Sequence, residues 1–485
     1  MTSALDIIVK SVLVVIAVII GSRGDLVVYP HADILTPSTK FAVTLTQRGP
    51  TFPSFTYIST SNHRMKDASS VKPNRSVSWT SFAFTSTPVT VEIYAARSFS
   101  KCYVRPRRYN IPCHRITSNV ARFDVPHNGL TMSVEFDTDQ SSTTKDITDK
   151  LFIFVDEPET HVPLKTDPSV MFFDVGVHDL NGQLHLPPGI RQVYLAPGAF
   201  LQGGFITTAS HPVNITGRGI MSGAIYPFHD NRFVWGLVNM DKGSNHLLEG
   251  VTLVDSPQFF YRGQSSFNTV RNVKMLAPWT YNSDGVGIGM DGLVEDSFIW
   301  ANDDTFKVYQ SNLVVRRCVV WQAQNGAVFQ MGWWPDRRMR NATLSNIDVI
   351  HTDWCTFRGE NCRISDNDAV LDLGGQTNDF ETSDVEFRNI RIEDPCPRTI
   401  YYQMSDGAVG SVSNFRFLNW TMAPQPLDAA LHNVISGSRE SRITDWQFVN
   451  FTIGGNCITN PAINNFIIDN RTTSEIDFKC PSQKH

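Results

Sequence analysis

A short phrase that recurs through the second half of the chain limits the possible folds more than any other feature. Each copy is a polar pair followed by an alternating apolar triplet: EGVTLV at 249, RNVKML at 271, EDSFIW at 295, RRCVVW at 316, SNIDVI at 345, RNIRIE at 388, SNFRFL at 413 and TDWQFV at 444. The first spacings are 22, 24 and 21 residues, followed by 29. A period in the twenties that is made of strands predicts a solenoid of parallel coils, a parallel β-helix.

The first third of the chain has a different pattern. Its apolar segments alternate with a period of two and are separated by Pro, Asn, Asp and Ser: FAVTLTQ, VTVEIYA, ARFDVP, LTMSVEFD and LFIFVDEP. This pattern is typical of antiparallel strands and predicts a β-sandwich. Because 485 residues exceed what one hydrophobic core usually supports, we predict an all-β chain with a sandwich at 26–165 and a β-helix at 166–485.

Residues 1–24 have the features of a secretory signal peptide. Lys10 precedes an apolar run that ends in the small residues Gly21 and Ser22, and this run is short for a membrane span. No clean A-x-A site follows, so a signal anchor is the alternative. Six sequons predict N-glycosylation after secretion: Asn74, Asn214, Asn341, Asn419, Asn450 and Asn470. We therefore expect a secreted, extracellular glycoprotein without membrane contact once the signal is removed.

The eight cysteines agree with an oxidising compartment. Three pairs are close enough in sequence to be candidate disulfides: Cys102 with Cys113, Cys355 with Cys362, and Cys457 with Cys480. The partners of Cys318 and Cys396 stay undecided. No CxxC pair occurs, so a structural zinc site is not expected. The formal net charge of −5 leaves no basic surface for nucleic acid.

The repeat decides which acids of the stretch WTYNSDGVGIGMDGLVEDSFIWANDDTFKVY, residues 279 to 309, can meet. Equivalent positions of neighbouring coils lie about 4.8 Å apart, the ordinary strand spacing. When Asn272, Asp296 and Arg317 are taken as equivalent, Asp284 aligns with Asp304 and Asn325 comes level with them. The repeat thus predicts one cluster on neighbouring coils, formed by Asp284, Asp303 and Asp304. Asp291, Glu295 and Asp296 are predicted to be turn residues.

Such a cluster suits the hydrolysis of glycosidic bonds. Like charges at close range raise at least one pKa, which keeps one carboxyl protonated as a general acid while another stays ionised and acts on water. Aromatic and amide side chains nearby are suited to sugars, which stack on rings and form hydrogen bonds. The predicted substrate-binding residues are Tyr281, Asn282, Asn302, Lys307, Tyr309, Gln324, Asn325, Gln330, Trp333 and Trp334. For the two tryptophans, a place in the core is an equal alternative.

The same region resembles glycoside hydrolase family 49, which contains dextranases and isopullulanases. The resemblance is carried by VYLAPGAFLQGGF, ITGRGIMSGAIY, YNSDGVGI, NDDTFKVYQS and NGAVFQMGWWP. It implies a β-sandwich before a right-handed parallel β-helix, and hydrolysis of α-glucan with inversion and without a metal or cofactor. It also implies that Asp303 is the general acid and that Asp284 and Asp304 hold the water. Inversion leads us to expect carboxyl groups about 6.5–9.5 Å apart.

A more distant resemblance links the chain to polygalacturonases, which share the three-aspartate pattern. Their usual Gly-His-Gly and Arg-Ile-Lys marks are absent, and a polyuronide would require cations, for which Lys307, Arg337 and Arg338 are the candidates. We predict a monomeric hydrolase acting on dextran-like α-1,6 linkages of a polysaccharide. Isopullulanase-like or polygalacturonase-like activity is the alternative, as is a carbohydrate-binding protein without activity.

Overall fold

The computed structural model describes most of the chain as two compact units. The described residues are 25–61, 74–137, 147–276, 279–280, 282–333, 337–354, 369–373, 380–426 and 430–481. The first unit comprises 25–60, 74–137 and 147–162, and the second contains the residues from 163 onward. Four predicted site residues and the predicted signal peptide lie outside the described residues: Tyr281, Trp334, Cys355 and Cys362. Within the described ranges, no helix has the length and apolar character needed to cross a membrane.

The first unit is a sandwich of two β-sheets. One sheet contains Leu26–Val28, Tyr57–Thr60, Ser76–Phe84, Cys102–Arg105, Leu130–Phe136 and Asp149–Asp156. The other contains Phe41–Thr46, Thr51–Ser54, Val89–Ala95, His114–Arg115 and Val120–Val125, and a short 3-10 helix is formed by Arg107–Tyr109. Both sheets contribute to one core, for example through Leu45 and Met132. A disulfide joins Cys102 to Cys113.

The second unit is a parallel β-helix whose coils contribute to three sheets, here called sheets 1, 2 and 3. Sheet 1 contains Val170–Phe173, Gln192–Leu195, Asn214–Gly217, Leu247–Glu249, Thr269–Arg271, Leu293–Glu295 and Val314–Arg316. Sheet 2 contains Ile220–Ser222, Thr252–Val254, Lys274–Leu276, Phe298–Ala301 and Val319–Gln322. Sheet 3 contains Gly236–Asn239, Phe259–Gly263, Val286–Ile288, Phe306–Lys307, Phe329–Gln330, Leu371–Asp372, Ile400–Gln403, Asn433–Ser436 and Phe466–Ile468.

Longer strands pass through two of these sheets. Gly176–His185 and Ala199–Ile206 continue sheets 2 and 3 at the N-terminal end, and Arg338–Thr352, Glu381–Ile392 and Ser411–Met422 continue sheets 1 and 2. The last coils add Ile443–Val449, Thr452–Ile453, Asn456–Cys457, the 3-10 helix Pro461–Asn464 and Thr473–Lys479. The predicted all-β architecture, a sandwich followed by a parallel β-helix, is confirmed.

The recurring phrase marks the corner between sheets 1 and 2. The second residue of its polar pair adopts a left-handed conformation in successive coils, with φ of 52° at Asn272, 54° at Asp296, 55° at Arg317 and 55° at Asn346. Asparagine and aspartate tolerate this conformation better than most residues. The period of the sequence is therefore the period of a sharp, left-handed corner.

Two copies of the phrase lie at a different corner than the repeat suggests. Asn414 pairs in register with Asp384, whereas the residue at the sheet 1–sheet 2 corner in that coil is Asn419, level with Asn389. Asp445 of the last copy follows Asn414 in the same way. The long strands carry two left-handed corners, so the polar pair alone does not identify which corner it occupies.

Three predicted glycosylation sites contribute to asparagine ladders along these corners. The Asn419 amide donates to Asn389 and accepts from Asn450, each at 3.0 Å, and the Asn341 amide donates to Asn312 at 2.9 Å. Side-chain amides that bond from coil to coil satisfy each other at exposed corners. Glycosylation of the sequons stays a prediction.

Large apolar side chains fill the interior of the β-helix at equivalent positions of successive coils. In the last coils Phe387, Phe417, Phe448 and Phe478 stack with ring centroids 5.2, 4.4 and 4.2 Å apart. A disulfide joins Cys457 to Cys480. The undecided pair, Cys318 and Cys396, consists of free, buried thiols.

Candidate active site

The turn between sheets 2 and 3 brings the candidate acids together from two successive coils, and the same turn of the third coil lies beside them. Gly285 N donates to Asp304 O at 2.9 Å, and Thr305 N donates to Ala327 O at 2.8 Å, so each turn is bonded to the next one. This register sets Asp284 beside Asp304, as the repeat suggests, and Gly326 beside Asp303. Parallel stacking thus converts a separation of one coil in sequence into side-chain contact.

Asp284, Asp303 and Asp304, here called the turn cluster, are buried. One oxygen of each carboxyl lies within 4.8 Å of an oxygen of the other two. This is closer than the separation of about 6.5–9.5 Å expected from inversion. The closeness has two causes, because neighbouring coils are one strand spacing apart and a single ammonium holds two of the groups. Among the described residues, no other group of three or more acids, histidines or cysteines is close enough to share a metal ion.

Lys307 is the cation that the turn cluster shares. Its Nζ lies 2.6 Å from Asp284 Oδ2 and 2.9 Å from Asp304 Oδ2. The ammonium therefore stands between two carboxylates where a metal would otherwise balance them. Ala327 N adds a hydrogen bond of 3.1 Å to Asp304 Oδ1, whereas no other described residue donates to Asp284 Oδ1. That oxygen is left to accept from a molecule in the site.

Asp303 is held by neutral donors instead of a cation. Asn282 Nδ2 donates to its Oδ2 at 3.0 Å, and Asn325 donates to the same oxygen. Asp304 N donates to Oδ1 at 2.9 Å. Amides on the coils either side fix the direction of the carboxyl without supplying positive charge.

The shared lysine separates the protonation behaviour of the three acids. Burial raises the pKa of Asp284 to about 7, with Lys307 opposing this shift and the charge of Asp304 adding to it. Burial also raises the pKa of Asp303 well above its usual range, and the charges of Asp284 and Asp304 raise it further. Burial favours a neutral amine at Lys307, but the same two carboxylates outweigh it and raise the lysine pKa. Asp303, which lacks a cation partner, is the group best placed to keep a proton.

Two residues that support the turn were not singled out in the sequence. Gln322 is completely buried, and its amide donates to Asp303 O at 2.9 Å and to Asn325 O at 2.6 Å, while its oxygen accepts from Thr305 at 2.7 Å. Gly326 has φ of +75°, and a Cβ there would lie 2.5 Å from Asp303 C and from Asp304 N. Each contact depends on the stacked coils, so the only signal in the sequence was the alignment of the neighbouring Asn325 with the acids.

The predicted substrate-binding residues fall into distinct groups. Asn282 and Asn325 contact Asp303, Lys307 bridges the two other acids, and Tyr309 borders a cavity beside them. Gln324 is buried after sheet 2, and Trp333 is half-buried after sheet 3.

Two of these residues are completely enclosed in the structure. Asn302 and Gln330 have no exposed surface. Asn302 stays in the turn, where its backbone N donates to Ser283 O at 3.2 Å. Gln330 accepts from Gly332 N at 2.6 Å and donates to Asp372 at 3.4 Å. Both side chains are enclosed by neighbouring coils, and substrate contact by Asn302 and Gln330 stays a prediction.

The remaining acids of the stretch serve the corners. Asp291 accepts from Asn312 at 2.7 Å. The group here called the arginine corner centres on Glu295, whose carboxylate meets three guanidinium groups at 2.6–2.7 Å: Arg271, Arg316 and Arg317. Asp296 pairs with Arg317 at 2.6 Å. These contacts agree with the turn roles expected of the three acids.

Fold and site together define an all-β protein in which a β-sandwich precedes a parallel β-helix with a buried acid cluster suited to acid–base chemistry. Residues 40–173 match the model of the glycosyl hydrolase family 49 N-terminal Ig-like domain. The resemblance to glycoside hydrolase family 49 is thus confirmed, and the relatives of the chain are glycoside hydrolases.

Three relatives illustrate the resemblance. An isopullulanase from Aspergillus niger is 25% identical over 480 residues, covering 84% of this chain and 83% of its own. A dextranase from Arthrobacter globiformis is 23% identical over 428 residues, covering 71% of this chain and 67% of its own. Among solved structures, Dex49A from Penicillium minioluteum superimposes with a TM-score of 0.75 at 20% identity, covering 95% of this chain and 99% of that one.

Proposed function

We propose that this chain is a secreted, inverting glycoside hydrolase that cleaves α-glucan at dextran-like α-1,6 linkages. The single observation that carries the proposal is the turn cluster, in which one ammonium pairs with two of three buried carboxyls and leaves the third, Asp303, without a cation. Because one cation cannot balance three buried carboxylates, Asp303 is favoured to keep a proton while a carboxylate paired with Lys307 stays ionised, and glycoside hydrolysis requires this division into acid and base. The named relatives, dextranases and an isopullulanase, support the choice of substrate.

In the proposed mechanism, Asp303 donates its proton to the glycosidic oxygen as the bond to the leaving sugar breaks. Asp284 and Asp304 accept a proton from the attacking water, and the uncommitted Asp284 Oδ1 is the acceptor that aims it. Asn282 and Asn325 hold the Asp303 carboxyl in its direction. Lys307 keeps at least one of its two partners ionised.

Inversion is proposed on the resemblance, and the close carboxyl oxygens put a condition on it. With oxygens within 4.8 Å of each other, the water must be held at the edge of Asp284 and Asp304 and cannot lie between widely separated groups. Proton NMR of the first products distinguishes the two outcomes, because inversion of an α-linkage releases the β-anomer. Initial release of the α-anomer would contradict this part of the proposal.

Charge favours a neutral glucan over a polyuronide. Lys307 is already paired with two acids, and Arg338 pairs with Glu381 at 3.2 Å. A uronate would meet an excess of negative charge at the turn cluster. A reducing-sugar assay on dextran, pullulan and polygalacturonate tests the choice: we expect product from dextran. Product from pullulan alone would favour isopullulanase-like activity, and product from polygalacturonate alone would contradict the α-glucan proposal.

Secretion is proposed from residues 1–24 as a signal peptide and from the six sequons. Expression in a eukaryotic secretory host should deliver the protein to the medium without its leader, and N-glycosidase should lower its apparent mass. Retention in the membrane fraction would support a signal anchor instead.

A further inference from the structure

A cavity opens on the outer face of sheet 3 beside the turn cluster. We propose that it is a subsite that binds a sugar unit of a neutral glucan chain on one side of the cleaved bond, with Trp235 as the ring on which the sugar stacks. This inference rests on the proposed function and adds how the substrate is held. The cavity has a volume of about 330 Å³, near the lower end of the range typical of small-molecule sites. The lining residues used below are Trp235, Phe259, Arg262, Gln264, Gly287 and Lys307.

The cavity exists because a glycine interrupts a column of long side chains. Arg262, Gly287 and Lys307 occupy equivalent positions of three successive coils of sheet 3. At Gly287, an added Cβ would meet only ordinary contacts, 3.7 Å from the Lys307 side chain and 3.9 Å from Tyr261 O. The missing side chain therefore leaves a gap between two cations and does not serve a tight backbone approach.

Aromatic rings form one wall of this gap. Trp235 is 45% exposed although it is a large apolar residue, and its backbone is held in a left-handed conformation with φ of 64°. Its ring lies 6.1 Å from that of half-buried Phe259, and the Arg262 guanidinium lies 4.7 Å from the Trp235 ring. An exposed, fixed indole at a concave site presents a flat surface to the C–H face of a sugar.

The charges around the cavity are already balanced. Arg262 Nη1 pairs with Asp241 Oδ2 at 2.6 Å, and Lys307 pairs with Asp284 and Asp304. The exposed Gln264 side chain supplies a neutral amide at the rim. A hexose without charge meets hydroxyl-binding groups here, whereas a uronate finds no unpaired cation among these lining residues.

Lys307 connects the cavity to the turn cluster. Lys307 belongs to both, and its Nζ lies 4.9 Å from the centre of the Phe259 ring. The next residue, Phe260, donates its backbone N–H to Asp284 O at 2.8 Å. A saccharide on Trp235 would thus extend directly toward the carboxyls, so we assign the cavity to one side of the cleavage point.

Calorimetric titration with isomaltotriose tests the subsite in the Asp303→Asn background, which prevents hydrolysis during the measurement. Adding Trp235→Ala should weaken binding about tenfold, the loss expected from one stacking contact. Adding Trp235→Phe should restore most of it. Adding Gly287→Val should also weaken binding, because the branched side chain fills the gap and suits a strand.

Phe267→Ala is the matched control. Phe267 is 55% exposed with φ of 61°, so its substitution changes the same kind of residue away from the cavity, and we expect binding to change by no more than about twofold. Four results would each overturn the subsite. The first two are binding of isomaltotriose to Trp235→Ala as tight as to the Asp303→Asn protein, and a loss of binding in Phe267→Ala as large as in Trp235→Ala. The other two are the absence of isomaltotriose binding by the Asp303→Asn protein, and tighter binding of trigalacturonate by that protein.

The subsite and the proposed function fail in different ways. Dextran hydrolysis by the wild type, together with unchanged binding in Trp235→Ala, would overturn the subsite and leave the function standing. Absence of hydrolysis by the wild type, together with Trp235-dependent binding, would support the subsite and contradict the hydrolase.

Discussion

The turn cluster and the arginine corner alternate along one stretch of chain, yet their acids meet very different numbers of cations. In the turn cluster, the single ammonium of Lys307 pairs with Asp284 and Asp304, and the buried Asp303 carboxyl receives no cation. In the arginine corner, the buried Glu295 carboxylate alone receives three guanidinium groups. Acidic residues of similar burial are thus left short of positive charge in one place and supplied with an excess in the other.

This difference sets the pKa values in opposite directions. At Glu295, burial acts to raise the pKa of the carboxyl, but hydrogen bonds from Arg271 and Arg316 outweigh it and lower that pKa. Burial raises the pKa values of Asp284 and Asp303, and one lysine is too little to reverse the shift. The comparison teaches that the ratio of cations to carboxyls decides whether the effect of burial on the pKa is reversed, as at Glu295, or persists, as at Asp284 and Asp303.

Removing the shared cation should have the largest effect. Lys307→Met leaves Asp284 and Asp304 facing each other, and we expect hydrolysis of dextran to fall by at least about a hundredfold, as for loss of one electrostatic contact in an active site. Because Lys307 lowers the pKa of Asp284, its loss raises that pKa. The acid limb of the pH–rate profile should therefore move to higher pH.

The pH profile distinguishes this electrostatic role from a structural one. A uniform loss of rate with an unmoved acid limb would mean that Lys307 only supports the fold. An unchanged rate would remove the lysine from the account of the turn cluster altogether.

The turn beneath the carboxyls can be disturbed without changing any charge. Gly326→Ala would press a Cβ against the Asp303–Asp304 peptide at 2.5 Å, and we expect hydrolysis to fall by at least about tenfold, since small displacements of reacting groups are costly. Gly407→Ala is the control, because Gly407 has a similar φ of +81° and nothing within 4 Å of an added Cβ.

Both glycine variants should lose about 1–2 kcal/mol of stability from the left-handed backbone, and Gly326→Ala should lose more because its Cβ meets the Asp303–Asp304 peptide. Steady-state kinetics and urea unfolding of the two proteins separate the effects. Equal activity of Gly326→Ala and Gly407→Ala would show that the turn tolerates the contact.

Substitution of Glu295 in the arginine corner should lower stability without lowering activity. Glu295→Gln leaves three arginines without their shared carboxylate, and we expect a loss of about 2 kcal/mol in the free energy of unfolding at neutral pH, moderated by the partial exposure of the arginines. Dextran hydrolysis should stay unchanged. Urea unfolding and a kinetic assay on the same preparation measure both.

The pH dependence of this loss follows from the lowered pKa of Glu295. A carboxyl with a depressed folded pKa stabilises the protein above its unfolded pKa and loses that contribution as the pH falls through the folded value. The difference in unfolding free energy between wild type and Glu295→Gln should therefore shrink on acidification. Equal unfolding free energies of the two proteins at neutral pH would mean that the arginines need no shared anion.

The sequence predicted the fold and the identity of the three turn acids because stacking makes position in the coil predict contact. Asp284 and Asp304 occupy equivalent positions of neighbouring coils, so a repeat of known period was enough to align them. The same logic misassigned the phrases at Asn414 and Asp445, since the later strands carry two left-handed corners.

Contacts that depend on side-chain direction could not be predicted from the repeat. The repeat gave no sign that Lys307, predicted to contact substrate, also bridges two acids, or that Gln330 at the equivalent position of the next coil is enclosed. Trp235 lies outside every copy of the phrase, and the gap at Gly287 follows from an absent side chain. Such features appear only when the coils are stacked in three dimensions.

The most direct test of the central claim is to measure hydrolysis and stability in Asp303→Asn. The folded pKa of Asp303 is raised, so the native state retains a proton that the unfolded chain releases, and stability falls as the pH rises between the unfolded and folded values. A neutral amide avoids this cost. We predict a loss of dextran hydrolysis of at least about a hundredfold, with an unfolding free energy at pH 8 that is higher than that of the wild type by about 1 kcal/mol or more.

Asp296→Asn is the matched control, because this acid is 41% exposed and paired with Arg317, and it should keep its activity and gain no stability. Hydrolysis that survives in Asp303→Asn, or a stability that falls at pH 8, would contradict the account of the turn cluster.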